Sequence, residues 1–220
     1  MTTYVERDVR QLLNVRDLPS FELFVRLCAG NTGQLFNMSR IGADVGIDQK
    51  TVRAWLGVLE AAFIAFRVPP HHRNFRKRLV KTPKLHFYDT GLAARLLGIE
   101  SPAQMATHSM RGSLFENWVI VEILKAKGNR GKDERLAFWR DHVGREIDLL
   151  LDRGERVMPV EIKAGGTVAS DWITQLDAWC SLAGPAAETP TIVYGGDRRE
   201  ERRTVSIVPW REVPGLARAV

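Results

Sequence analysis

Two short apolar segments that carry charged residues constrain the fold of this chain more than any other feature. Residues 146–151 (EIDLLL) and 157–163 (VMPVEIK) are strand-like, and the glycine-containing turn between them predicts a β-hairpin. Side chains two apart on a strand point to the same face, so Glu161 and Lys163 are predicted neighbours, with Asp148 on the other arm. Charges on an apolar hairpin are costly to bury unless they are paired or bind a metal.

These residue types in this pattern point to phosphodiester chemistry. Carboxylate oxygens suit Mg²⁺ or Mn²⁺, and a neighbouring lysine can orient or deprotonate water and offset phosphate charge. Metal-assisted hydrolysis of a phosphodiester uses such carboxylates to hold the metal and such a cation beside the phosphate. The candidate catalytic residues are Asp148, Glu161, Lys163 and Glu116, and the three acids among them are the candidate metal ligands. An inactive core that keeps these residues and a plain salt bridge are the alternatives, and Glu116 is equally consistent with an acid favoured at a helix start.

Three further residues are candidate accessory groups of this site: Gln175, Arg140 and Glu146. Glu146 lies two residues before Asp148, and an ion-paired or solvated carboxylate is a simpler interpretation of it than a metal ligand. Arg140 and Arg145 flank the hairpin and could hold a phosphate or pair with Glu146. For Gln175, a surface position on the following helix is the simpler interpretation.

Helical and strand-like segments alternate in the second half of the chain. The periodicity predicts a helix over 112–125 whose inward residues are Leu114, Phe115, Trp118, Val119 and Ile123. Three strands, a helix and two more strands are then predicted over 136–140, 146–151, 157–163, 170–182, 191–194 and 204–208. This order predicts an α/β domain with a mixed sheet, within a chain that is α+β overall.

The first half contains a predicted helix-turn-helix. Apolar residues at helical spacing indicate helices over 38–45 and 49–61, Gly46 suits a left-handed C-cap, and Asp48 can cap the second helix. The second helix is predicted to present outward Gln49, Lys50, Arg53 and Trp55. These residue types are suited to phosphate and base-edge contacts in DNA. Helix-turn-helix units also serve protein contacts, and that alternative stays open.

A basic stretch follows the helix-turn-helix. From Arg67 to Lys84 the chain carries seven Lys or Arg and no acid, which accounts for all of its formal net charge of +6. A localised basic run on a folded domain is the electrostatic footprint of a polyanion such as DNA. Strand-like residues 64–68 and 84–88 bracket it, which predicts a winged helix with a basic wing; a solvated charged loop is the alternative. The candidate nucleic-acid contacts are Lys50, Arg53, Arg73, Arg76, Lys77, Arg78 and Lys81.

Composition and segmentation limit the class of protein further. The chain has 220 residues, no apolar run near the ~18 that span a bilayer, and no apolar signal segment after its N-terminus. Its two cysteines, Cys28 and Cys180, are too few for a disulfide scaffold and indicate buried thiols in a reducing cytoplasm. Periodicity is lost over 99–111, which predicts a linker between domains at 1–98 and 112–220.

The acidic hairpin carries a family resemblance. The residues that carry it are Asp148, the Glu161-Ile162-Lys163 triplet and the preceding helical Glu116. They resemble the pattern of the PD-(D/E)XK nuclease superfamily, with Ile147 where the name-giving proline stands. Gln175 and Trp179 resemble the Gln-x-x-x-Tyr element of some branches, with Trp in place of Tyr. The resemblance implies a restriction-endonuclease-like α/β fold and a Mg²⁺- or Mn²⁺-dependent deoxyribonuclease.

The chain as a whole resembles the C-terminal part of a bacterial and archaeal ATPase family. Members of that family join an AAA-type ATPase to a winged helix and a nuclease-like domain of unknown function. The segments that resemble it are 4–9, 87–92, 112–117, 138–140 and 146–148. The sequence has no Gly-x-x-x-x-Gly-Lys-Ser/Thr, so ATP hydrolysis by this chain is not expected. The resemblance implies DNA and an ATPase domain as partners, with a non-catalytic DNA- or protein-binding module on an inactive nuclease-like scaffold as the alternative.

Overall fold

The protein divides into two compact units. A computed structural model describes residues 17–71, 80–129, 131, 136–202 and 204–219. The first unit contains 17–67 and 84–110, and the second contains 111–219 with the described parts of 68–83. Four of the predicted nucleic-acid contacts lie outside the described residues: Arg73, Arg76, Lys77 and Arg78.

Helix α1 (Leu18–Gly30) is the first described helix of the first unit. The Asp17 carboxylate accepts a hydrogen bond from Ser20 N at 3.2 Å, and Pro19 lies in the first turn, where no intrahelical N–H is needed. The apolar face of the helix is buried and consists of Phe21, Phe24, Val25, Cys28 and Ala29.

Helices α2 (Met38–Val45) and α3 (Gln49–Ala61) have the bounds that the sequence predicts. Gly46 ends α2 in the left-handed conformation with φ of 83°, and the Asp48 side chain accepts from Thr51 N at 2.9 Å. The prediction of an outward-facing Trp55 is wrong. Its ring packs edge-on against two residues of α1, at centroid distances of 5.2 Å from Phe21 and 5.5 Å from Phe24.

A small sheet and two short helices complete the first unit. Strands β1 (Ala65–Val68) and β2 (Lys84–Phe87) pair, and isolated bridges join Thr32 to Leu85 and Leu35 to Lys84. Helix α4 (Thr90–Leu96) follows, capped by the side chain of Asp89. The expected linker contains a further helix, α5 (Pro102–Thr107), because Ser101 and Gln104 form a reciprocal capping box at its start.

A six-stranded mixed sheet forms the centre of the second unit. Its strands are β3 (Leu136–Arg140), β4 (Glu146–Asp152), β5 (Val157–Lys163), β6 (Thr191–Tyr194), β7 (Glu200–Arg202) and β8 (Val205–Pro209). Their order is β3-β4-β5-β6-β8-β7, with β6 parallel to both β5 and β8 and the other pairs antiparallel. The mixed sheet confirms the predicted α+β architecture. The strand β7 lies outside the elements that the sequence pattern predicts.

Three helices pack against this sheet or one another. Helix α6 (Arg111–Gly128) contacts β5 and the C-terminal helix α8 (Val213–Ala219), which the sequence pattern does not predict. Helix α7 (Ser170–Ala183) packs on a core that includes Trp139, Ile147, Leu150, Leu176, Trp179, Ile192 and Ile207. The inward packing predicted for Phe115 and Trp118 is wrong, because both rings are half-buried. None of the described helices is long and apolar enough to cross a membrane.

The ends of the basic stretch pair with strand β3 of the second unit. Phe138 N donates to Pro69 O at 3.1 Å, and His71 N donates to Phe138 O at 2.7 Å. On the far side of the stretch, Val80 N donates to Arg140 O at 3.2 Å. The described residues 68–71 and 80–83 therefore belong to the second unit, whereas the sequence predicts a wing of the first.

Two glycine substitutions test the helix-turn-helix geometry. Gly46→Ala should lower the free energy of unfolding by about 1–2 kcal/mol, because an alanine is strained at φ of 83° although its Cβ meets nothing within 4 Å. The matched control is Gly57→Ala inside α3, where the added Cβ also has open space. It should raise stability by about 0.5–1 kcal/mol. Urea unfolding of the wild type and of the two variants measures both changes. Equal changes in the free energy of unfolding for the two variants would contradict the left-handed cap at Gly46.

Candidate functional site

A bulge in strand β4 positions Asp148. Ala137 of β3 pairs with Leu150, but Trp139 pairs with Ile147, so two residues of β4 lie opposite one residue of β3. Such a bulge bends its strand and re-aims a side chain. On the other side, the paired residues of β4 and β5 end at Leu149 and Val160. Asp148 therefore lies where the pairing of β4 with β3 is interrupted by the bulge and its pairing with β5 has ended.

The structure brings Asp148, Glu161 and Lys163 together, as the hairpin pattern predicts. Asp148 Oδ2 accepts a hydrogen bond from Ile162 N at 2.8 Å. Lys163 Nζ lies 2.5 Å from Glu161 Oε1 and 3.9 Å from Asp148 Oδ2. Glu161 is 2% exposed and Asp148 is 8% exposed. The two carboxyl groups are buried and lie beside one ammonium, whose side chain is 32% exposed.

Burial and the neighbouring charges shift the protonation of this cluster. Burial, and then the charge of Asp148, raise the pKa of Glu161 to about 8, although Lys163 opposes the shift. Burial acts to lower the pKa of Lys163, but Asp148, Glu161 and Glu116 outweigh it and the pKa is raised. Lys163 is therefore a cation at neutral pH, and Glu161 is mostly protonated there and ionises as the pH rises through about 8.

Glu116 and Glu146 lie within electrostatic reach of the cluster but have different surroundings. Glu116, on α6, is 9% exposed, and its charge acts on Lys163. The charge of Glu146 contributes to the raised pKa of Glu161. Glu146 is also ion-paired, because Arg140 Nη1 lies 3.0 Å from its Oε2. Of the alternatives for Arg140, the structure contains the pair with Glu146.

Gln175 reaches this region from helix α7. Its Nε2 donates a hydrogen bond to the backbone oxygen of Glu146, which ties α7 to the start of β4. The contact gives Gln175 a role in positioning the strand that carries Asp148. Gln175 is half-buried, so the surface helix position, the simpler interpretation of the sequence, describes only part of its surroundings.

Asp141 holds the turn before β4, and sequence reasoning missed it. Its Oδ1 accepts from the backbone N of Val143 and of Arg145 at 3.0 Å, and its Oδ2 accepts from Arg145 Nε at 2.8 Å. Burial acts to raise the pKa of Asp141, but the hydrogen bonds and charge of Arg145 outweigh it and lower the pKa. Arg145 therefore pairs within its own turn. The sequence signal for this turn is an Asp four residues before an Arg, with Gly144 between them. In the structure Gly144 has a φ of 89°, which suits a turn.

The donor set of the cluster fits a hard divalent cation. Glu161 Oε2 is buried and has no hydrogen-bond partner, and such an oxygen is costly unless something satisfies it. Carboxylate oxygens are the ligands that Mg²⁺ prefers. Within the described ranges, no group of three or more His, Cys, Asp or Glu side chains is arranged to hold a metal. The three-ligand set of Asp148, Glu161 and Glu116 stays a prediction.

The predicted DNA contacts within the described residues are surface residues. Lys50 and Arg53 are exposed on α3, as the helical pattern predicts. Lys81 is also exposed, but it lies in the stretch that pairs with β3. The structure therefore places these lysines and arginines in both units.

Comparison with known proteins places two domains of unknown function on this α+β chain. Residues 1–103 match the family model of the domain of unknown function DUF8612, and residues 111–213 match that of DUF4143. The chain is 28% identical over 167 residues to the uncharacterized proteins Rv2008c of Mycobacterium tuberculosis and Mb2031c of Mycobacterium bovis. The match covers 76% of this chain and 37% of each relative, so the chain spans little more than a third of their length.

The raised pKa of Glu161 predicts a pH dependence of stability. The unfolded chain ionises Glu161 near its ordinary pKa of 4.5, and the folded chain near 8. Between those values the folded state binds the extra proton, so the stability that Glu161 contributes falls as the pH rises from about 4.5 to about 8. Lys163 titrates above this window, because its pKa is raised from 10.5.

Glu161→Gln should remove this dependence. Urea unfolding at pH 5 to 9 should show the variant gaining stability over the wild type as the pH rises. Glu122→Gln, at a surface ion pair of α6 with Lys125, is the matched control and should run parallel to the wild type. A constant difference between Glu161→Gln and the wild type would contradict the raised pKa.

Proposed function

We propose that this protein is a DNA-binding, metal-dependent nuclease of the PD-(D/E)XK type. The observation that carries the proposal is the pair of buried carboxyl groups of Asp148 and Glu161 beside the ammonium of Lys163, with one carboxylate oxygen that has no hydrogen-bond partner. Charged groups are buried in this way when they bind a ligand or react with one. Phosphodiester hydrolysis uses this combination of two carboxylates and a cation.

The topology of the second unit supports the resemblance to that superfamily. Helix α6 precedes strands β3, β4 and β5, and α7 then leads to β6, which is parallel to β5. The acid-acid-lysine set lies on the two central strands of this arrangement, β4 and β5, and Glu116 lies on the helix before them. This order of elements, with the candidate residues at these positions, supports the proposal of a nuclease-like domain.

The reaction that we propose assigns one task to each residue. Asp148, Glu161 and Glu116 would hold Mg²⁺ or Mn²⁺, which when bound activates water and stabilises charge on the phosphate. Ile162 N holds the Asp148 carboxylate in place through its hydrogen bond. Because the pKa of Lys163 is raised, its ammonium acts as a cation and hydrogen-bond donor toward the scissile phosphate and the attacking water.

The first unit is proposed to bind DNA as a winged helix. Its three helices α1, α2 and α3 are followed by β1 and β2, and bridges from Thr32 and Leu35 to β2 add a third short element between α1 and α2. Helix α3 presents Lys50 and Arg53 to solvent while its opposite face is buried. This arrangement suits insertion of α3 into a DNA groove.

We further propose that the protein works with an AAA-type ATPase. The support is the resemblance of the whole chain to the C-terminal part of such a family, and the domain match over 111–213. The greater length of the mycobacterial relatives leaves room for another domain in those proteins. The ATPase would supply ATP hydrolysis, for which this sequence has no phosphate-binding loop.

Cleavage of labelled single-stranded, duplex and branched DNA with Mg²⁺ or Mn²⁺ tests the nuclease. Lys163→Ala and Asp148→Asn should each lower the cleavage rate at least about 100-fold, because each removes a group that acts on the transition state. Glu116→Gln should also lower the rate, and Glu122→Gln on the same helix is its control. Intact DNA binding with no cleavage by the wild type would favour the non-catalytic binding module. Cleavage that survives both substitutions would exclude this site.

The salt dependence of DNA affinity tests the positive surfaces separately. Lys50→Ala with Arg53→Ala should weaken duplex binding, and each lost phosphate contact should reduce the slope of log affinity against log salt by about one. Arg76, Lys77 and Arg78 changed together to Ala should do the same. Arg95→Ala is the control, because this arginine of the first unit is paired with Glu100. A DNA affinity that neither set of substitutions changes would contradict DNA binding through these residues.

A further inference from the structure

Helix α6 leaves part of one side at the surface, and two residues there are aromatic. The buried residues of the helix are Leu114, Glu116, Asn117, Val119, Ile120, Val121, Ile123 and Lys127. A strip at helical spacing contains the exposed Arg111 and Lys125 and the half-buried Phe115, Trp118 and Glu122. Phe115 and Trp118 therefore keep part of each ring accessible where α6 meets the segment before α8.

The aromatic residues continue beyond α6 into the turn before α8. The rings of Phe115 and Trp118 are stacked at 28° with centroids 6.2 Å apart. Trp210 meets Trp118 edge-on at 5.6 Å, and the guanidinium of Arg211 lies 4.4 Å from the centroid of the Trp210 ring. Trp210 is half-buried, and Arg211 is exposed and paired with Asp197. Three rings and a cation thus form one continuous surface.

The other end of this surface lies beside the acidic cluster. Arg111 is exposed, and its guanidinium donates a hydrogen bond to the backbone oxygen of Ala164 at 3.0 Å. Ala164 directly follows Lys163. Phe115 lies one helical turn after Arg111, on the same side of α6. The strip therefore begins with a cation next to the cluster and ends with a second cation at Arg211.

We propose that Arg111, Phe115, Trp118, Trp210 and Arg211 form a binding surface for single-stranded nucleic acid, which leads the strand to Lys163. The proposal rests on the proposed nuclease function and names its substrate class. Unpaired bases stack on aromatic rings whatever their sequence, and arginines at the two ends match the charge of the backbone phosphates. In a duplex the faces of the bases are already stacked on one another, so this surface would select for unpaired strands.

Binding of fluorescent oligo(dT) and of a duplex of equal length, both followed by anisotropy without metal, tests the surface. Trp118→Leu keeps an apolar side chain but removes the ring, and it should weaken oligo(dT) binding about tenfold while duplex binding stays unchanged. Trp118→Phe should keep most of the affinity. Phe63→Ala is the control for loss of an exposed aromatic residue, because Phe63 is 74% exposed in the first unit.

Arg211→Gln provides a second variant that is independent of the packing of Trp118. It removes an exposed charge, so it should lower oligo(dT) affinity and reduce the salt slope by about 0.7 without altering the unfolding temperature. The proposal is overturned if the wild type does not bind oligo(dT), or if neither variant changes that binding. Equal losses of affinity for oligo(dT) and for the duplex would also overturn it. Binding of a protein partner, and not of oligo(dT), at this strip would do the same.

The outcomes separate this inference from the nuclease proposal. Oligo(dT) binding that depends on Trp118, with no cleavage under any metal condition, would support the proposed binding strip and exclude the nuclease. Cleavage that Lys163→Ala abolishes and Trp118→Leu leaves unchanged on single strands would keep the nuclease and exclude the strip. Cleavage of single strands that both substitutions reduce supports the two together.

Discussion

The burial of Asp148 and Glu161 on two central strands, beside the ammonium of Lys163, is the constraint on which the second unit depends. Two carboxyl groups removed from water cost far more than an apolar pair of the same volume, unless each finds a partner. The peptide N–H of Ile162 and the ammonium of Lys163 provide part of that compensation. One buried oxygen of Glu161 remains without a hydrogen-bond partner, which leaves part of the cost of burial uncompensated.

The elements around β4 keep that arrangement in place. Asp141 closes the turn that precedes the strand, and Gln175 of α7 holds its first residue. The ion pair of Arg140 with Glu146 offsets part of the charge of a third acid close to Glu161. Together these contacts fix the backbone on which Asp148 is carried. They explain why polar residues, which contribute little to a hydrophobic core, are concentrated on one side of this strand.

Elements governed by local signals could be predicted from the sequence. The bounds of α2, α3, β3 and β5 follow from a left-handed glycine, a capping aspartate and apolar spacing, and the structure has the same bounds. The neighbouring positions of Glu161 and Lys163 follow from the period of a strand. The bulge that re-aims Asp148 depends on pairing with β3, which the sequence does not reveal. Trp55 and Trp118 were misplaced because an aromatic residue fits a core and a half-open surface equally well.

Pairing of residues 69–71 and 80 with β3 means that the second unit is assembled from two separate stretches of chain. The domain matches suggest a natural cut near residue 110. A fragment made by that cut would lose the cover of β3 and present a bare row of N–H and C=O groups. Such an edge is a template for pairing between copies. The interrupted connectivity thus acts as protection against self-association, which a shortened protein would lack.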